Sequence, residues 1–251
     1  MFNELKYLLK KNTTINVFIL RIKFFFKFGL DPEAKFIHKN FNFNTSIDVG
    51  SNSGHVTNML SKICKNVYSF EPIDYLYRAQ KQIFRNKNVK VYNYALGDKK
   101  CKKIFYISKN NDPESSFLLR NKNIKKKSIG IKTGDSVIIE KRIDFIKIDV
   151  EGYESYVVRG LENLIKKHKP LLLVEIEKRH NSKFKEIFNF FRKKNYKIYF
   201  LSKKKNKLKF ISYSNIINFI NQNQNLKFLG SDKYINNFFF IHSKNYFFEN
   251  R

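Results

Sequence analysis

The sequence predicts an α/β fold in which a mostly parallel sheet is covered by helices on both faces. Three observations carry this. Apolar stretches of strand length alternate with stretches whose apolar residues recur every three or four positions, the rhythm of strand–helix–strand units. Residues 171–176 are almost wholly apolar, as expected of a parallel strand buried on both faces. And 251 residues with 42% hydrophobic side chains can bury the core of one such domain plus a short extension, which excludes a wholly disordered chain.

In order, residues 1–43 read as an N-terminal helical extension and residues 44–251 as the main domain. Apolar residues run through 15–30, but Arg21, Lys23 and Lys27 interrupt them, so this stretch is no membrane span. It reads as a helix packed over the edge of the main domain; a basic, Phe-rich helix lying on an anionic membrane is the alternative. No secretory signal is evident. Residues 43–49 read as a strand. Val56, Met59, Leu60 and Ile63 then mark a helix by their spacing. Residues 67–70 form a short strand, and Asp74 caps a helix whose inner face is Leu76, Ala79 and Ile83. A strand is expected over 89–96, with strand pieces at 103–107 and 137–139 around an irregular loop. Residues 145–150 make a strong strand, followed by a helix with Val157, Leu161 and Leu164 inward. Pro170 precedes the 171–176 strand; Phe184, Ile187, Phe188 and Phe191 mark one more helix; strands at 196–201, 208–211 and 238–241 close the series.

The formal charge is +29, from 50 Lys and Arg against 21 Asp and Glu. Such a charge favours polyanionic neighbours. The chain is also crowded with Lys, Asn, Ile, Phe and Tyr and has no Trp, as an A- and T-rich gene would encode. The Lys125-Lys126-Lys127 and Lys203-Lys204-Lys205 runs fall in loop-like stretches, so solvated lysines are the simpler reading. Cys64 and Cys101 have no metal-ligand or CxxC spacing and read as reduced thiols of a cytoplasmic protein.

In sheets of this kind ligands bind beyond the carboxyl ends of the strands, where strand order reverses. After the first strand comes Asp48-Val49-Gly50-Ser51-Asn52-Ser53-Gly54, a turn whose two glycines let backbone N–H groups approach an anionic ligand group. It lacks the G-x-G-x-x-G of a dinucleotide binder. Glu71 in Phe70-Glu71-Pro72 follows Gly54 by 17 residues, a spacing suited to accepting ribose hydroxyls. Leu96-Gly97-Asp98 ends the third strand, so Leu96 is expected to touch an adenine ring and Asp98 to accept from its amino group. Lys147 in so apolar a strand needs a carboxylate to neutralise it. Asp149, Glu151 and Glu154 follow at the strand-to-helix turn. They are candidates for orienting a cofactor, positioning a substrate hydroxyl or holding a cation, with helix-dipole stabilisation the simpler role for Glu154.

These blocks, together with Val174-Glu175-Ile176, resemble the FkbM family of S-adenosylmethionine-dependent methyltransferases over about residues 44–180; Lys-Ile-Asp-Val-Glu-Gly at 147–152 is the most specific part. The resemblance implies a class I methyltransferase (Rossmann-like) fold with an antiparallel C-terminal strand, S-adenosyl-L-methionine as cofactor, and O-methyl transfer to a hydroxyl of a surface glycan or a secondary metabolite. By it, Asp48 and the Gly50, Ser51, Asn52 and Gly54 loop hold the methionine end, Glu71 the ribose, and Leu96 and Asp98 the adenine. Asp149, Glu175 and His180 are the catalytic or acceptor-side candidates, with Ser115 and Ser116 in the long loop as further substrate contacts. The competing class is a basic protein with a methyltransferase-like fold that binds nucleic acid or a membrane surface. Nucleic acid is disfavoured as a substrate, because Asp149-Val150-Glu151-Gly152 stands where amino-methylating enzymes tend to carry Asn/Asp-Pro-Pro-Tyr/Phe, and its carboxylates repel phosphates.

Overall fold

The computed structural model describes residues 13–25, 29–108, 115–118, 124–140, 142–229 and 231–245. Parts of the expected N-terminal extension, Lys27 and much of the loop around Ser115 lie outside them.

The chain opens with α1 (Thr13–Phe25) and α2 (Pro32–Asn40). Then β1 (Phe43–Val49), α3 (His55–Ile63), β2 (Cys64–Phe70), α4 (Asp74–Ile83) and β3 (Val89–Tyr92) build one parallel half-sheet. β7 (Phe145–Ile148), α6 (Glu154–Gly160), α7 (Glu162–His168), β8 (Leu171–Glu175), α8 (Phe184–Lys193) and β9 (Tyr196–Ser202) build the other. β10 (Lys207–Ile211) folds back on β9, α9 (Ile216–Asn223) follows, and β11 (Asn237–His242) enters antiparallel between β8 and β9. The eight strands lie in the order β10-β9-β11-β8-β7-β1-β2-β3. Order therefore reverses between β1 and β7, whose register pairs Asp48 with Lys147. This is a class I methyltransferase fold of the Rossmann-like type.

Alternation along the central strands sorts the core. Ile146, Ile148, Leu172, Val174, Phe238 and Phe240 share one cluster with Val157, Leu161, Ile187 and Phe191 of the second-half helices. Phe145, Leu171, Leu173, Phe239 and Ile241 point the other way, onto Ala34 and Ile37 of α2 and Met59 and Leu60 of α3. α1 lays Val17, Leu20 and Phe24 on Ala79, Ile83 and Phe84, covering the edge of the domain.

Several expectations are corrected. The strand expected at 89–96 breaks at Asn93-Tyr94, and Ala95–Leu96 (β4) leaves to pair with the strand at Ile124–Lys132 in a separate sheet. Residues 137–139 are no strand: Gly134–Val137 is a short helix (α5), and Ile139 stands 90% exposed. Lys125-Lys126-Lys127 is not loop but part of β6 (Ile124–Lys132), paired antiparallel along the whole of β5 (Cys101–Ser108). The helix expected after β7 is two short ones meeting at Leu161. Asp74 does not cap α4; it is the first helical residue and pairs with Arg78 at 2.9 Å.

Candidate active site

The carboxyl ends of β1, β2, β7 and β8 open into a cleft of about 210 Å³. Gly50, Asn52, Glu71, Leu96, Asp149 and Glu175 all line it, so residues spread over 126 positions of sequence meet at one place.

One half of the cleft is built mainly from backbone. Gly50 has φ +79°, and a Cβ there would lie 1.9 Å from the Asp149 carbonyl oxygen; the β1 turn passes the β7 turn too closely for any side chain. Gly54 (φ +81°) starts α3 against Gln80 and Phe84. Beneath the loop, Gln80 donates to Asn52 O at 2.6 Å and to Ser51 Oγ at 2.9 Å, and Ser69 Oγ reaches Ser51 Oγ at 2.8 Å. Glu71 is the lateral clamp. Its Oε2 accepts from Asn52 N and its Oε1 from Ile73 N, both at 2.7 Å. Two backbone donors orient the carboxylate at the cleft. Leu96, Phe105 and Phe117 give it an apolar wall, with Phe105 and Phe117 ring centroids 4.9 Å apart.

The other half is made of charged side chains. Lys147, buried in β7, donates to Asp149 Oδ2 at 2.7 Å. Burial opposes its charge, but Asp149, Asp48 and Glu175 outweigh it and raise the Lys147 pKa. Glu175 Oε1 accepts from Asn236 at 2.7 Å. Burial, then the neighbouring Asp149 charge, holds the Glu175 pKa well above the usual carboxylate range. Behind this rim, Glu154 Oε1 accepts from Gly152 N at 2.6 Å and Oε2 from Asn181 at 2.5 Å, tying the β7 turn to the turn after β8. Burial pushes its pKa up to about 7, and the two hydrogen bonds give it a bracing role besides the helix-dipole stabilisation expected for it.

Asp48, Ser51, Gly54, Asp98, Ser116, Glu154 and His180 were expected at the site but are not among the residues lining the cleft. Asp48 is buried under the loop and accepts from Thr57 at 2.6 Å, while its Oδ1 has no hydrogen-bond partner among the described residues. Burial raises its pKa against the pull of Lys147. Ser51 and Gly54 brace the loop from below, as above. Asp98 pairs with Arg159 at 3.5 Å, and its neighbour Gly97 packs so tightly on Gly160 that a Cβ at Gly160 would meet Gly97 O at 1.8 Å. His180 sits one layer back, 2.8 Å from Glu151 and 3.3 Å from Glu177. Ser115 does line the cleft and accepts from Ser108 N at 3.0 Å; Ser116 donates to Glu151 O at 2.8 Å. Sequence reasoning missed Gln80, Asn181, Asn236, Phe105 and Phe117. Only Gln80 left a signal, a polar residue inside the apolar stripe of α4. Among the described residues no group of three or more His, Cys, Asp or Glu is placed to hold a metal ion.

The model of the methyltransferase FkbM domain matches residues 48–198. Similar solved structures include methyltransferase FkbM from Methylobacillus flagellatus KT, at 18% identity and a TM-score of 0.45, covering 62% of this chain and 39% of that one. Others are a putative methyltransferase from Streptococcus mutans solved with SAH (12% identity, TM-score 0.41, 67% and 85% covered) and a SAM-dependent methyltransferase from Aquifex aeolicus (16%, 0.36, 67% and 80%). The chain thus spans well under half the length of the Methylobacillus protein. No curated protein matches. The domain match covers more than half of the chain and takes in every block that lines the cleft: this chain belongs to the FkbM methyltransferase family, whose cofactor is S-adenosylmethionine.

Proposed function

We propose that the chain transfers a methyl group from S-adenosylmethionine to a hydroxyl of a carbohydrate, such as a surface glycan, or of a secondary metabolite. One observation carries this: a carboxyl group of raised pKa, Glu175, lines the same cleft as the glycine turn and Glu71. The residues fit the cofactor. The turn closed by Gly50 admits no side chain, Glu71 is fixed by two N–H donors, and the wall of Leu96 and Phe105 suits an adenine ring. Glu71 would hold the ribose, the loop from Gly50 to Asn52 the methionine end, and the sulfonium supplies the methyl group and the leaving group.

The chain's own work is then alignment and proton removal. Asp149, held by Lys147, and Glu175, held by Asn236, converge where the acceptor hydroxyl would sit. With the cofactor bound, its sulfonium would give up the methyl group to the acceptor oxygen, and the Glu175 carboxylate would take the hydroxyl proton. A carboxyl group with raised pKa becomes a base only as pH rises through that pKa, so transfer should rise with pH there. His180 touches Glu151 and Glu177 and acts by positioning them.

The test is labelled methyl transfer into fractionated cell-surface glycans and small metabolites. Glu175→Gln is expected to lower transfer by roughly a hundredfold or more and to flatten the rising limb of the pH profile. Unchanged rate and profile in the variant would remove Glu175 from the mechanism, and label in nucleic acid alone would contradict the acceptor class.

A further inference from the structure

α1 has two apolar faces. Val17, Leu20 and Phe24 are buried on the domain. On the opposite side Phe18 is 66% exposed, Ile22 43% and Ile19 39%, an unusual concentration of large apolar side chains in water. At helical spacing, Arg21 and Lys23 fall on the two borders of that outer stripe, and both are exposed. The charge continues past the helix. The corner between α1, α2 and α3 holds a cavity of about 250 Å³ with an apolar floor of Phe24, Leu30 and Met59 and with Lys35 and Lys62 at its rim. Lys87 joins them by donating to Asn58 at 3.1 Å. Burial, then the charges of Lys62 and Arg21, lowers the Lys87 pKa, as expected where cations crowd together. None of Arg21, Lys23, Lys35, Lys62 or Lys87 makes a salt bridge among the described residues. The acidic groups of this corner are Asp31 and Glu33 at the start of α2, and Glu33 is buried.

From the exposed Phe18, Ile19 and Ile22 stripe, its bordering Arg21 and Lys23, and the adjoining lysine corner, we propose that α1 docks the protein on an anionic lipid surface, lying in the plane of the interface. The charge complementarity selects the occupant. Cations beside inserted aromatic and branched aliphatic side chains suit lipid headgroups over acyl chains. A nucleic acid offers phosphates but no place for that stripe. The 13 described residues of the helix rise about 20 Å, short of a bilayer crossing. No helix among the described residues is long and apolar enough to do so. The docking is independent of the methyl-transfer chemistry, so a failed transferase assay leaves it standing.

The test is co-sedimentation of the full chain with phosphatidylglycerol-containing vesicles and with pure phosphatidylcholine vesicles at low and high salt. Binding is expected to the anionic vesicles alone and to weaken as salt rises. Arg21→Glu/Lys23→Glu should weaken it by roughly thirtyfold or more, from about one unit of surface attraction per cation. Phe18→Ser/Ile22→Ser should weaken it roughly tenfold, with a melting temperature unchanged within about 2 °C because both side chains are exposed. Lys125→Glu/Lys126→Glu, the same charge change on exposed β6 residues, should cost much less. An equal loss from that control would show attraction to the overall charge and overturn the proposal. So would no anionic binding at low salt, wild-type binding by Phe18→Ser/Ile22→Ser, or a wild-type dimer that the same variant dissolves.

Discussion

The two halves of the cleft are built by different means. The cofactor half is a tight backbone turn. Its shape comes from Gly50 and Gly54 at positive φ, from Gln80 and Ser69 bracing the loop from below, and from one carboxylate, Glu71, held by two N–H donors. The half proposed to take the acceptor is a mesh of side chains. Asp149, Glu151, Glu175 and Glu177 crowd together, each answered by a different neighbour: Lys147, His180, Asn236 and Arg179. A turn of this kind is rigid and tolerates no added atom. A charge mesh is tunable, because each pKa depends on its neighbours. One half thus suits a fixed cofactor, and the other suits the proposed acceptor hydroxyl.

The sharpest way to break this contrast is Gly50→Ala. Its Cβ would fall 1.9 Å from backbone at a φ of +79°, so a loss of about 3 kcal/mol or more is expected, together with cofactor binding. Gly130→Ala, with nothing within 4 Å of its Cβ, should leave the melting temperature nearly unchanged. Equal melting temperatures for the two variants would show that the turn has slack.

The next effect belongs to the mesh. The Glu154 pKa is raised from 4.5 to about 7 by burial, so the folded state favours its protonated form. Its contribution is fully present below pH 4.5 and is lost as pH rises through about 7, amounting to about 3 kcal/mol. Glu154→Gln should remove that slope from the stability–pH curve. A slope that persists would assign it to another group.

The smallest effect is expected at Asp98. It pairs with Arg159 off the cleft lining, so Asp98→Asn should change S-adenosylmethionine affinity by less than about threefold. A large loss would return Asp98 to the adenine role that its place at a strand end suggests.

The same contrast explains what could be read before the structure. Turn chemistry is local, so Gly50, Gly54 and Glu71 announced themselves by type and spacing. So did the strands of the central sheet, whose apolar runs are buried on both faces. The mesh draws on Asn181 and Asn236, polar residues in loops whose sequence neighbourhoods say nothing of Glu154 or Glu175, 27 and 61 positions away. β6 was hidden because its run Lys125-Lys126-Lys127 masks a period-two signal that Ile129 and Ile131 carry, and pairing with β5 decides it. Asp98 looked like a ligand because its strand end is where ligands sit, yet β4 had already left the main sheet.

The central claim is that the strand-end turns form one S-adenosylmethionine site with Glu71 as its ribose clamp. Calorimetric titration of the purified chain and of Glu71→Ala, each first checked for cooperative melting, tests it most directly. One-site binding is expected in the wild type, with a loss of roughly a hundredfold in the variant, since two charge-assisted hydrogen bonds would be removed. Equal affinity in a folded variant would contradict the account.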